Sequence, residues 1–193
     1  MSPLALLPED PPSLHEFPAC VTLASQPLYR IHRQNHGPWY FSDDGSGRFN
    51  LAPPRGTCYL ATEPIGAFIE VFRATALVAS ADVAKRHLAT LHVLRDVKLA
   101  DCSVRSARAF GITAAIHASE DYRATQRWAE AFSRAGFEGI CYRLSHDPSQ
   151  RCLGIALFGQ GGESDLPVDS DEPIGVELIK AAREFGILVI PTP

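Results

Sequence analysis

Lysine is nearly missing from this chain: of 18 basic residues, all but Lys85, Lys98 and Lys180 are arginine. Its cationic side chains are therefore mostly planar donor forks suited to phosphate and carboxylate. Basic charge is not in excess either. The 22 acidic residues leave a formal net charge of −4 with the seven histidines neutral. A general polyanion binder carries the opposite sign, so direct nucleic-acid binding is not the expected role. The five cysteines, at 20, 58, 102, 141 and 152, form no CxxC pair. Cys58, Cys141 and Cys152 lie in apolar runs, where reduced, buried thiols are expected. There is no HExxH, no Walker A loop and no GxGxxG after a strand, which removes the motif support for zinc hydrolase, P-loop and Rossmann readings. His32 and His36 are four apart, but Pro38 opposes a long helix and no third ligand follows. Surface or loop histidines are expected there, and no metal site. The longest apolar runs are too short to cross a bilayer and no basic-then-apolar leader opens the sequence, so a cytoplasmic location without membrane contact is expected.

What is present is a globular composition: 193 residues, 46% hydrophobic and 21% charged, enough for one substantial core. Residues 1–19, with five prolines, read as an N-terminal arm, and residues 20–193 as a single domain. Strands are predicted at Leu28–Ile31, Cys58–Ala61, around Val97–Leu99, at Phe137–Tyr142, Leu153–Phe158 and Ile187–Ile190. Thr62 and Pro64 announce a helix over about 63–73 whose apolar stripe is Ile65, Phe68, Ile69 and Phe72. At about 100° per residue, Glu70 falls off that stripe and faces solvent or a cleft. Residues 81–90 read as weakly helical, and a further helix is predicted to begin near Arg105. The clearest helix spans 120–135, capped by Ser119, with Tyr122, Thr125, Ala129 and Phe132 inward, Trp128 bordering them, and Gly136 ending it. Residues 159–173 read as a loose acidic stretch, and 174–184 as a last helix. Trp39, in a Gly/Pro loop, is expected to be the exposed aromatic, with Trp39 or Phe41 at a cleft entrance. Short strands alternating with separate helices predict an α+β fold with a mixed sheet.

Four segments combine strand or helix context with a polar residue that a core does not need: Tyr29-Arg30, Gly47-Arg48-Phe49, Tyr59 and Glu70. Two guanidiniums and one carboxylate converging would hold an anionic ligand while stabilising positive charge at a reacting carbon. The spacing alone favours a structural Arg–Glu ion pair, with the catalytic arrangement as the alternative.

In order along the chain stand Leu28-Tyr29-Arg30, Gly47-Arg48-Phe49-Asn50, Gly56-Thr57-Cys58-Tyr59-Leu60-Ala61-Thr62, and Ala67-Phe68-Ile69-Glu70-Val71-Phe72. Thr125-Gln126-Arg127-Trp128-Ala129, Gly139-Ile140-Cys141-Tyr142 and Ala156-Leu157-Phe158 follow. Over roughly residues 27–160 this ordered set resembles the RES-domain family, named for its Arg, Glu and Ser signature. The resemblance implies a mainly antiparallel twisted sheet with flanking helices, similar to ADP-ribosyltransferase toxins. It implies NAD as substrate, cleaved by phosphorolysis or hydrolysis, with inorganic phosphate as the co-substrate in the first case and no further cofactor. It also implies the toxin of a toxin–antitoxin pair, and so a protein antitoxin as partner; self-association is left open. Protein ADP-ribosylation, or a weakened NAD-binding protein, are the alternatives.

On this chain the resemblance places Glu70, Arg48 and Tyr59 in catalysis, and Arg30, Arg48 and Tyr59 in dinucleotide binding. The arginines would pair with the diphosphate or incoming phosphate, Tyr59 would hold the nicotinamide riboside end, and Glu70 would stabilise the ribosyl cation and orient the nucleophile. The family serine, two residues after the tyrosine of the Gly139–Tyr142 strand, is replaced here by Leu144. A one-residue bulge would bring Ser145 inward as a binding residue; without one, the serine is missing. His146 and Asp147 adjoin it with no assigned role, and Gln126 is expected to be structural.

Overall fold

The computed structural model describes residues 13–72 and 75–192. Strands β1 (Ala19–Thr22), β2 (Leu28–Arg33), β3 (Tyr40–Phe41) and β4 (Arg55–Ala61) lead into helix α1 (Pro64–Phe72). Then come β5 (Leu77–Ala79), α2 (Ser80–Ala84), β6 (Arg86–Leu91) and β7 (Val97–Asp101). After a 3-10 turn at Arg105–Phe110 follow α3 (Ala115–Ala118), α4 (Tyr122–Arg134), β8 (Gly139–Arg143) and β9 (Leu153–Gln160). The chain continues through β10 (Gly162–Glu163), β11 (Val168–Pro173), α5 (Val176–Ala181) and β12 (Leu188–Ile190).

Eight strands form one sheet in the order β1-β7-β8-β9-β4-β2-β6-β11. Every neighbouring pair is antiparallel except β7 with β8. This is the predicted α+β class, a mainly antiparallel twisted sheet with flanking helices. Strand periodicity sorts the core. From β4 and β9, Cys58, Leu60, Ile155 and Leu157 point to one face, where Trp39 and Phe41 cover them. Tyr59, Ala156 and Phe158 point to the other, packing with Trp128, Phe132 and Phe49. Alongside, Phe68 and Phe72 of α1 pack with Ile31 and Ala61. The sheet is uneven in one place. β4 pairs with β9 along seven residues, Arg55↔Gln160 to Ala61↔Gly154, but meets β2 only at Tyr29↔Ala61.

Several expectations are corrected. Of residues 81–90, only the beginning is helical; Arg86–Leu91 is the strand β6, held between β2 and β11. Sheet pairing on both sides overrides the helix propensity of Leu88 and Ala89. The stretch read as loose contains β11, an edge strand that is acidic because it faces solvent. Helix α4 is capped by Asp121, whose carboxylate accepts from Arg123 N, while Ser119 Oγ accepts from Asp121 N in the preceding turn. Trp39 is buried at 1% exposure, its indole N–H donating to Pro167 O at 2.9 Å, and neither it nor Phe41 reaches the cleft. His32 is buried too: Nδ1 bonds His36 O at 2.7 Å and Nε2 bonds Asp171 at 2.9 Å. Of the predicted arm, residues 13–19 are described, and there Leu14 and Phe17 are core residues, Phe17 against Phe110, Phe132 and Phe137. Among the described residues, no helix is long and apolar enough to cross a membrane.

Candidate active site

A pocket of about 310 Å³ opens where β2 and β4 part, closed on one side by α1. Arg30, Arg48, Tyr59 and Glu70 all line it. Each arrives by a different route.

Glu70 comes from α1, whose buried residues Ala67, Phe68, Ile69 and Phe72 fix the helix and leave position 70 half-exposed, as its place off the apolar stripe predicts. Tyr59 comes from the face of β4 toward α4. Its hydroxyl donates to Asn50 Oδ1 and accepts from Phe49 N, both at 2.8 Å. Burial pushes this phenol well above its usual value, and the Glu70 charge adds to the effect. Tyr59 is thus a fixed neutral phenol whose oxygen holds the loop carrying Arg48.

That loop, 42–50, is heavily bonded. Asp44 Oδ1 accepts from Ser42 Oγ, Ser46 N, Ser46 Oγ and Asn50 Nδ2, and the Ser46 bonds hold its carboxyl below the ordinary range. Gln126 donates to Gly45 O and Gly47 O, both at 2.8 Å, which gives it the structural role expected. A Cβ on Gly47 would lie 2.2 Å from Asn50 Oδ1 and 2.4 Å from the Tyr59 hydroxyl, so glycine is required there by close approach. Arg48 donates from Nη1 to Ser119 O, and its guanidinium lies over the Tyr122 ring, 5.1 Å from the centroid. One ring and one carbonyl orient the fork at the pocket wall.

Arg30 points to the face of β2 opposite Tyr29 and Ile31. There Nη1 donates to Pro38 O at 2.7 Å, Tyr40 O at 3.0 Å and Cys58 Sγ at 3.2 Å. It still lines the pocket because β2 and β4 do not close over it. Arg30 therefore ties the β3 segment to the sheet as well as adding positive charge to the pocket.

Ser145 is not brought to the pocket. The β8–β9 register runs without a bulge to Arg143↔Leu153, Leu144 is buried at 1% exposure, and Ser145 follows as an exposed turn residue. The next loop is organised by buried Asp147, which accepts from Ser149 N and Oγ, Arg151 N and Cys152 N at 2.7–2.9 Å. Burial raises this carboxyl, but the four bonds outweigh it and bring it to about 2. Sequence reasoning did not place Ser42, Ser46, Tyr29, Tyr122 and Tyr142 at the pocket, all of which line it. Tyr122 was legible only as part of the α4 stripe. In fact it sits at the start of that stripe, half-buried, where the helix end meets Arg48.

The family model described as RES domain matches residues 27–175, most of the chain and every residue placed at the pocket. Comparison with curated proteins gives no match. Among solved structures, a chain in the crystal structure of the M. tuberculosis MbcT-MbcA toxin–antitoxin complex aligns with a TM-score of 0.63 and 16% identity, over 85% of this chain and 92% of that one. At that identity the likeness is one of fold. Together with the ordered sequence blocks and the pocket they build, the family match means that this chain is a member of the RES-domain family.

Proposed function

We propose that this protein cleaves the nicotinamide–ribose bond of NAD, by phosphorolysis or hydrolysis, as the toxin of a toxin–antitoxin pair. The observation that carries the reading is the meeting of Arg30, Arg48, Tyr59 and Glu70 around one open pocket. The pocket takes the nicotinamide riboside end of the dinucleotide, with the remainder running out across the opening. Arg48 and Arg30 pair with the anionic diphosphate or with incoming phosphate. As the C–N bond breaks, its electron pair goes to the nicotinamide ring nitrogen, which leaves neutral, so no strong acid is needed. Positive charge grows on the ribosyl carbon, and the Glu70 carboxylate stabilises it and orients the nucleophile. Phosphate yields ADP-ribose 1''-phosphate; water yields ADP-ribose and a proton. No cofactor beyond the substrates takes part. The fold shared with a chain of a toxin–antitoxin complex supports a protein antitoxin as the partner.

The test is to incubate purified protein with NAD, with and without phosphate, and identify the products. Released nicotinamide with ADP-ribose or its 1''-phosphate is expected, and Glu70→Ala should lose nearly all turnover while keeping the fold. ADP-ribose appearing only on protein would assign the chain to transfer instead. Binding without turnover would leave a ligand-binding protein.

A further inference from the structure

A second recess, separate from the pocket and independent of the reading above, lies beyond the end of α1. It is lined by Arg33, Gln34, Asn35, Asp82, Lys85 and Arg86. Its cations are brought together by the sheet itself. Arg33, the last residue of β2, is the register partner of Arg86, the first residue of β6. Directly opposed side chains in an antiparallel pair stand about 5 Å apart at Cβ, and like charges there are destabilising. Burial lowers the affinity of Arg86 for its proton, and the Arg33 charge lowers it further, with Asp82 opposing in part. Neither arginine has a hydrogen-bonded carboxylate among the described residues. The one acid in the lining, Asp82, is bonded to Lys85 at 3.1 Å. Three cations thus face one acid, on a molecule whose net charge is −4.

The rim is held in place. Gln34 N donates to Lys85 O at 3.1 Å and Gln34 Nε2 to Ala84 O at 2.9 Å, tying the turn after β2 to the turn before β6. The Arg86 guanidinium lies 5.4 Å from the Phe72 ring centroid, which supports one fork from below. Two planar forks carried by directly opposed strand positions, with an ammonium beside them, match the oxygens of a phosphoryl group, which each fork can bind through paired N–H donors.

We infer that the recess formed by Arg33, Arg86 and Lys85 is a binding site for a phosphoryl anion, taking the phosphate or diphosphate group of a small molecule between the opposed guanidiniums. The bound anion adds to the partial counter-charge that Asp82 gives the register pair.

Calorimetric titration of the full chain at low salt with inorganic pyrophosphate and inorganic phosphate tests this. Arg33→Gln is the primary variant, because Arg33 is exposed and its replacement leaves the core untouched. Pyrophosphate binding should survive in Arg48→Gln, which disables the first pocket, and weaken at least tenfold when Arg33→Gln is added to Arg48→Gln. Arg86→Gln should weaken it as well, and Arg33→Lys should restore part of it. Binding that is lost in Arg48→Gln but unchanged in Arg33→Gln would place the anion in the first pocket and overturn the inference. So would the absence of measurable binding to either anion. A hexaglutamate peptide binding more tightly than pyrophosphate would also overturn it, assigning the recess to an acidic protein segment.

Discussion

The Tyr59 hydroxyl shows how closely support and chemistry are joined at the level of single side chains. It satisfies the Phe49 amide and the Asn50 carboxamide, and those two residues directly follow Arg48 in the chain. Tyr59→Phe should therefore leave a buried N–H unpaired and cost about 1–3 kcal/mol of stability, measured by denaturant unfolding. It should also lower turnover of NAD, because the Arg48 loop loses its tether. A variant as stable and active as the parent would mean that Asp44, Gln126, Thr57 and Thr125 hold the loop without it. Asp147 gives a second case: Asp147→Ala removes an acceptor of four bonds and should cost about 2–4 kcal/mol without acting on the pocket directly. At this scale the pocket was legible through the sequence blocks that resemble the family, which put Arg30 and Tyr59 on strands, Arg48 in a loop and Glu70 on a helix. It was not legible at Ser42 and Ser46, whose small hydroxyls carry no periodic signal. Ser145 stayed undecided in the sequence because one bulge determines whether the residue after a strand turns inward, and the β8–β9 register has none.

Among the elements, α1 has the narrowest tolerance, since it must bury one side and offer Glu70 from the other. Phe68 is fully buried against Phe72 and the sheet. Phe68→Ala should cost about 3–5 kcal/mol and reduce turnover more than binding, as Glu70 shifts with the helix. Thermal unfolding and steady-state kinetics measure the two effects. The α1 and α4 helices were readable because apolar residues recur at helical spacing and Gly136, with φ 88°, stops the second. β6 and β11 were not. The first contains residues that suit either state, and pairing on both sides decides it. The second is acidic and solvent-facing, so it lacks the alternation that marks a half-buried strand. Strand order was beyond reach for a related reason: five of the seven neighbouring pairs in the sheet join strands that are not consecutive in the chain, and local pattern carries no such information.

For the whole molecule, acid sensitivity follows from His117, which burial and the nearby Arg143 and Arg48 charges push down to about 4. The unfolded chain takes up this proton below about pH 6.5, whereas the folded protein resists it until about pH 4. Stability should therefore be intact above pH 6.5 and fall by up to about 3 kcal/mol as pH drops to about 4. Urea midpoints across that range should show the decline, and His117→Gln should flatten it; an unchanged slope would assign the effect to other groups. The fold class was legible at this scale from the alternation of elements, while the parting of β2 from β4 had no sequence signal, because neither strand is short or irregular by composition. Its consequence is mechanical. A sheet joined at its middle by one rung, Tyr29↔Ala61, is two stiff plates sharing a narrow seam. Whatever molecule spans that seam works as a clasp, so occupancy should register as slower amide exchange along β2 and β4, even in residues it never touches.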